Sequence, residues 1–289
     1  MKVRKAVIPV AGMGTRFLPA TKVVSKELLP IVDKPTIHYI VEEAVNSGIE
    51  EIIFVNAAGK SAIEDYFDRS LGLEKFLADK GDEEHLKMIR DIAAMVKVQS
   101  VRQKEARGLG HAVLMTRDIV GNEPFAVMLG DDMVDSKVPC TKQMIRVAAK
   151  YDRAVIAVFP VPDDKVHRYG IIDPVKIADR VYKVKSLVEK PKREHAPSNM
   201  AVIGRYILPP EIFGILEKTK PGKHGEIQIT DALATLNRRK GILGYEFEGH
   251  RYDAGDIFGF LEANIKYAMK RPDLAAKLKE LFAVELAQG

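Results

Sequence analysis

Glycines and cations gather near the amino terminus. An apolar run, Ala6-Val7-Ile8-Pro9-Val10-Ala11, leads into Gly12 and Gly14, and Arg16, Lys22 and Lys26 follow closely. Glycine lets backbone approach a ligand, and N–H groups exposed in a glycine turn suit anions. Arg and Lys add fixed positive charge that matches phosphate. The spacing Gly12-x-Gly14-x-x-Phe17 lacks the third glycine of a dinucleotide fingerprint. Pro19 and Pro30 keep a helix from opening directly after it, and no Lys-Ser/Thr pair stands where a Walker loop needs one. From these residues alone the segment reads equally as a phosphate cradle and as a β-to-α loop with surface cations.

Carboxylates form the second chemical group. Asp131-Asp132 ends the apolar run Phe125–Gly130, and Asp253 lies in Tyr252-Asp253-Ala254-Gly255, which has the composition of a turn. Neighbouring residues of a strand face opposite ways, so Asp132 is expected to turn away from Asp131 into a structural role. The same rule lets Glu189 and Lys190 share a site only near a strand end, which Pro191 supplies. Thr230-Asp231 reads as a helix N-cap before Ala232–Leu236. The seven histidines show no metal-ligand spacing. Cys140, the sole cysteine, has no motif around it, and no Ser–His–Asp or Cys–His arrangement is evident.

The elements that must hold these residues follow from periodicity. Lys5–Val10 predicts a strand, Thr36–Ser47 a helix stopped by Gly48, and Glu51–Asn56 a buried strand. This β-loop-α-β order opens an α/β fold. A helix is expected at Ser61–Phe67. Ser70–Met95 is charged and helical, with Leu71, Leu73, Phe76, Leu77, Leu86, Ile89, Ile92 and Met95 as its apolar side. Strands at Val96–Ser100, Phe125–Gly130 and Ala154–Val161 alternate with helices at Gly108–Val120 and Gln143–Lys150. Antiparallel texture follows at Val181–Lys190 and Ala201–Leu208, then helices at Ile212–Lys218 and Asp231–Arg239, a strand at Ile242–Glu248 and helix from Ile257 to Leu286, broken near Pro272.

The 289 residues are 46% hydrophobic and 29% charged, which excludes collagen-like, disordered and disulfide-scaffold classes. One cysteine permits no intramolecular disulfide, and a reducing cytoplasm is the expected setting. No apolar run is long enough to span a bilayer. The net charge of +5 is scattered among acids, as in Tyr182–His195, so neither nucleic acid nor a membrane is an expected partner.

Longer strings narrow the choice. Val7–Pro19 (VIPVAGMGTRFLP), Ser25–Pro30 (SKELLP) and Asp33-Lys34-Pro35 closely resemble the signature of the sugar-1-phosphate nucleotidylyltransferases. The likeness continues through Gln103, Gly108–Ala112, Leu129–Asp132, Tyr169–Ile172, Glu189–Pro191, Asn199–Tyr206, Gly225–Asp231 and Tyr252–Gly255. It implies an α/β fold: a Rossmann-like mixed sheet, mostly parallel, flanked by helices, with an inserted antiparallel sugar-binding layer. One catalytic domain, 1–289, is expected, with a nucleotide-binding part over about 1–160, a sugar-phosphate part over 161–256 and C-terminal helices over 257–289. No hexapeptide periodicity suggests an appended left-handed β-helix.

By that resemblance, Ala11, Gly12, Gly14, Gln103 and Gly108 bind the nucleotide. Gly170, Glu189 and Lys190 bind the sugar phosphate, Asp131 and Asp253 hold Mg²⁺, and Arg16, Lys26 and Lys190 are catalytic. Within the family, the helical stretch Ala62–Met95 is most similar to the bacterial branch that joins UTP to glucose 1-phosphate, giving UDP-glucose and pyrophosphate. Another pair, such as dTTP with glucose 1-phosphate, and a non-catalytic nucleotide-sugar sensor are the alternatives. A redox enzyme is disfavoured by the missing third glycine and by Pro19. A homo-oligomer, dimer or tetramer, is also implied.

Overall fold

The structure, a computed structural model, describes residues 1–222 and 225–288. His224, one of the seven histidines, and Gly289 therefore lie outside the described residues.

Nine strands make the main sheet: β1 (Lys5–Pro9), β2 (Glu51–Asn56), β3 (Lys97–Arg102), β4 (Phe125–Met128), β5 (Ala154–Pro160), β6 (Gly170–Ala178), β7 (Val181–Glu189), β8 (Met200–Leu208) and β9 (Ile242–Glu246). Their order is β3-β2-β1-β4-β8-β5-β9-β7-β6. Seven of the nine run the same way; β8 and β7 oppose them. The antiparallel strands are part of the same sheet. β8 sits between β4 and β5, so the two sequence halves interleave, and β6 curls back to pair Ile171 with Ala201 of β8. β6 had no counterpart in the periodicity, because Pro174 and its mixed residues carry no alternation.

Central strands covered on both faces become apolar on both. In β1, Ala6 and Ile8 enter one core and Val7 the other; in β2, Ile52 and Phe54 face Ile53 and Val55 in the same way. Helix Thr36–Asn46 covers the first face and helix Ile229–Lys240 the second.

Three local expectations change. The Ser70–Met95 segment splits at Gly81 into helices Leu71–Lys80 and Glu83–Ala93, and Leu71, Leu73 and Phe76 are exposed. The helices pack across Glu74, whose carboxylate accepts bonds from Arg69 at 2.9 and 2.7 Å and from Arg90 at 2.9 Å. The buried positions are thus Glu74 and Leu77, one turn apart, and the stripe from Leu71 to Phe76 rotates outward. Tyr252-Asp253, expected in a turn, ends a strand, His250–Asp253, paired antiparallel with Asp132–Asp135. Thr230 is not an N-cap: Gln228 holds that position, and Thr230 lies inside the helix.

No helix among the described residues is long and apolar enough to cross a membrane.

Candidate active site

Parallel neighbours β1 and β4 end side by side, so the loops after them meet, as ligand-binding loops do at strand ends in α/β sheets. After β1 come Ala11 and Gly12, which line an open cavity of about 490 Å³. Lys26, Gln103, Gly108, Asp131, Gly170, Glu189 and Lys190 line it too. Three expected residues sit apart from this lining. Gly14 takes a left-handed backbone (φ 65°) and shapes the turn that carries Arg16. Arg16 is exposed and donates from Nη1 to the Gly255 carbonyl at 3.2 Å. Asp253 stands behind Gly255, beside Asp131.

The carboxylates meet because the ribbon registers Asp253 opposite Asp132. Asp132 is buried, as its place in the strand predicted. It accepts from Arg251 Nε at 2.6 Å and from the Gly204 N–H at 2.8 Å. Arg251 also reaches Asp253 at 3.5 Å and the Tyr169 hydroxyl at 3.3 Å. Asp131 instead pairs with Lys26. Burial pushes the Asp131 carboxyl up, but the charge and hydrogen bond of Lys26 outweigh it and hold the group below its ordinary value. For Asp253 burial wins over Arg251 and the carboxyl lies above its ordinary value. A side chain at Gly255 would collide with the Asp131 carboxylate and lie 3.2 Å from Asp253 Oδ1, so only glycine leaves this cradle open.

Among the described residues no three metal-ligating side chains cluster. Two carboxylates beside an open cavity fit a hard divalent cation such as Mg²⁺, which takes one or two carboxylates and completes its shell with other oxygen ligands.

The wall that carries Gln103 is built on Gly108. Its φ of +89° and the 2.9 Å from an added Cβ to the Glu226 side chain admit no larger residue. Buried Gln103 donates from Nε2 to the Gly108 carbonyl at 3.2 Å and bonds His111 Nδ1 at 2.9 Å. Burial, reinforced by Arg107, pushes the His111 pKa down and so favours the neutral ring, whose Nδ1 can accept from the amide. This leaves the Gln103 carbonyl oxygen available to an N–H donor.

The Glu189–Lys190 wall depends on one backbone angle. Glu189 ends β7, and Lys190 follows at φ 45°. A non-glycine residue in this region is held there by its surroundings; the Lys190 N–H donates to the Tyr169 carbonyl at 2.9 Å. The turn brings both side chains into one cavity, with Lys190 Nζ 3.5 Å from Glu189 Oε1. Thr230 donates to Glu189 Oε2 at 2.6 Å. Thr230, His111, Arg251 and the cavity-lining Arg168 carried no decisive sequence signal. His111 and Thr230 fall within recognised motifs, but only the contacts give them roles.

Beneath the site lies a buried pair. Arg205, fully buried, donates from Nη2 to Glu43 at 2.8 Å and from Nη1 to the Gly204 and Leu129 carbonyls at 3.0 and 3.4 Å. It braces the segment that delivers Asp131.

The chain matches a family model described as nucleotidyl transferase over residues 5–270. It is 50% identical over 277 residues to a UTP–glucose-1-phosphate uridylyltransferase of Staphylococcus haemolyticus, covering 96% of each. A solved UDP-glucose pyrophosphorylase complexed with UDP-glucose is 48% identical, with a TM-score of 0.86 over 93% of this chain and 100% of that one. A UDP-glucose pyrophosphorylase from Acinetobacter baumannii is 41% identical, with a TM-score of 0.90 over 99% of this chain and 100% of that one. With Ala11, Gly12, Asp131 and the Glu189–Lys190 turn lining one cavity and Asp253 beside Asp131, the chain belongs to the nucleotidyl transferase family.

Proposed function

We propose that this chain is an enzyme that joins UTP and glucose 1-phosphate into UDP-glucose and pyrophosphate. One observation carries the reading: a single cavity holds an anion loop with Lys26 on one wall and Glu189 with Lys190 on another, with Gln103 and Gly108 at its base side. The relatives named for this reaction match along nearly the whole chain.

A phosphate monoester is largely dianionic near neutral pH, its second pKa being about 6, so the sugar phosphate needs no protein base to attack. One of its oxygens bonds to the α-phosphorus of UTP, the bond from that phosphorus to the β-phosphate oxygen breaks in line, and pyrophosphate leaves with the electron pair. What the protein supplies is position and charge. Lys26 and Arg16 face the triphosphate and the departing pyrophosphate. Lys190 neutralises the incoming sugar phosphate. Glu189, oriented by Thr230, accepts hydrogen bonds from glucose hydroxyls. Gln103 offers its carbonyl to the N–H of the pyrimidine ring, and Ala11, Gly12 and Gly108 bring backbone close to the nucleotide. Asp131 and Asp253 would hold the divalent cation, Mg²⁺ in this reading, which when bound neutralises phosphate oxygens.

The proposed setting is a reducing cytoplasm; the one thiol, Cys140, is buried, and burial pushes its pKa up. A homodimer or tetramer is supported by the exposed apolar residues Ile257, Phe258 and Leu261 on one helix, and light scattering tests it.

The test is pyrophosphate release with Mg²⁺, crossing five nucleoside triphosphates with glucose, galactose, mannose and N-acetylglucosamine 1-phosphates. Release confined to UTP with glucose 1-phosphate is expected. Preference for another pair would move the substrate; binding without release from any pair would indicate a sensor.

A further inference from the structure

Lys60 lies outside the cavity lining, yet its ammonium is bonded on three sides. It donates to the Val10 carbonyl at 2.8 Å and to the Gly12 carbonyl, and it lies 3.3 Å from Glu27 Oε2. Its side chain is only 14% exposed, and that of Glu27 is 1% exposed. Glu27 is the next residue after Lys26 and lies 4.0 Å from the Lys26 ammonium. Lys60 is itself anchored: Asn56, at the end of β2, donates from Nδ2 to the Lys60 carbonyl at 2.9 Å and to Glu64 at 2.7 Å. The central sheet therefore fixes an ammonium directly beneath the glycine loop.

Two consequences follow. The carbonyls of Val10 and Gly12 are drawn toward Lys60, away from the cavity, so that they do not set partial negative charge against an entering anion. The Glu27 carboxylate, buried beside Lys26, is balanced from its other side. Without Lys60 it would compete with Asp131 and with phosphate for the Lys26 ammonium.

We infer that Lys60 is a positioning residue for the triphosphate: it sets the carbonyls of the glycine loop and neutralises Glu27, so that Lys26 stays available to the nucleotide. This rests on the nucleotidyl transfer reading but is tested by affinity for nucleoside triphosphate, separately from turnover.

Calorimetric titration of UTP, dTTP, CTP and ATP identifies the nucleotide the wild-type protein binds. Lys60→Met is expected to weaken that nucleotide roughly 10–100-fold, the range of a lost charge-assisted bond, while KM for the sugar phosphate stays within about twofold. Lys60→Arg keeps the charge and restores part of the affinity. If Lys60→Met does not fold, as read by circular dichroism, Lys60→Arg is judged instead, with an expected loss smaller than tenfold confined to the nucleotide. The double variant Lys60→Met with Glu27→Gln removes the competing carboxylate and regains affinity over Lys60→Met alone. Unchanged nucleotide affinity, an equal loss for both substrates, or no gain in the double variant overturns the inference. Tight binding of a nucleotide other than UTP overturns only the base assignment, and Lys60 is then judged on that nucleotide. A wild-type protein that binds none of the four overturns both.

Discussion

On the side of the cavity proposed for the nucleotide, charged groups are paired inside the protein: Lys26 with Asp131, Lys60 with Glu27, and Arg205 with Glu43 deepest of all. On the side proposed for the sugar phosphate, the Lys190 side chain is 60% exposed against 20% for Lys26, and among the described residues the carboxylate it pairs with is Glu189. The first wall rises from the centre of the sheet, where β1 and β4 are covered on both faces. The second hangs from the end of β7, beside β6, which is last in the strand order and curls back onto β8 at Ile171; its side chains are held by Thr230 on Glu189 and by the Lys190 N–H on Tyr169. Central strands can hold paired charges rigidly because packing leaves them no alternative; a side chain at an exposed strand end stays solvated and ready for an anion. Changes to the nucleotide wall should therefore cost nucleotide affinity or stability, whereas changes to the sugar wall should cost turnover or sugar-phosphate affinity and leave the fold alone.

The largest expected effect tests the junction between the walls. Asp131→Asn should lower kcat with Mg²⁺ by about 10²–10³-fold, the usual cost of removing one preorganised charge-stabilising group; ordinary activity at ordinary Mg²⁺ would remove Asp131 from the ligand set. Next, Lys190→Ala should lower kcat about 10²-fold while UTP affinity, read by calorimetry, and Tm stay near wild type. A large fall in Tm there would erase the contrast between rigid and open walls.

The braced wall can be tested directly. Arg205→Met leaves Glu43 buried without its partner and should cost about 3–5 kcal/mol in urea unfolding. A substitution at exposed Lys185 of β7 should stay within about 0.5 kcal/mol. Equal losses would contradict the comparison. A smaller effect belongs to the sugar wall's own support: Thr230→Val should raise KM for glucose 1-phosphate by roughly 3–10-fold, with KM for UTP unmoved. A shift in both would show that the helix, not the hydroxyl, had been disturbed.

The smallest effect concerns acid. Glu42, on helix Thr36–Asn46, is pushed up by burial, but hydrogen bonds from His38 and Lys34 outweigh this and hold it at about 2. A carboxyl of ordinary pKa, about 4.3 in the unfolded chain, then stabilises the fold fully above that value and loses its contribution as pH falls toward 2. The Tm difference between wild type and Glu42→Gln should shrink across that window. A constant difference would show that the pairing does not depend on the charge of Glu42.

Much of the nucleotide wall was legible in the sequence. β1, β2 and β4 are continuous apolar runs, and the loops after them carry glycines, cations and aspartates in a specific string. The sugar wall was less legible. β6 lacks alternation, and Thr230 looked like a cap because a Thr-Asp pair before an apolar run usually is one. The apolar side assigned to Ser70–Met95 failed at Leu71, Leu73 and Phe76 because Glu74, an acid, took the buried position with two arginines around it. Nothing local to Glu74 announces partners 5 residues before it and 16 after it.

Residue order alone determined the kinds of chemistry present and where strands must end, since burial on both faces writes itself into apolar runs. The expected structural role of Asp132 matches its burial and its bonds to Arg251 and Gly204, although Asp131 stands in a turn just before the strand and Asp132 also lines the cavity. Only the tertiary structure decided which distant groups meet. The ribbon register sets Asp253 beside Asp131, the left-handed turn at Lys190 brings two opposed side chains into one cavity, and Lys60 reaches back beneath a loop some fifty residues earlier, at a separation of 50 and 48 positions from Val10 and Gly12. Those meetings depend on strand order and pairing register, set by the packing of the whole core, and no local pattern encodes them.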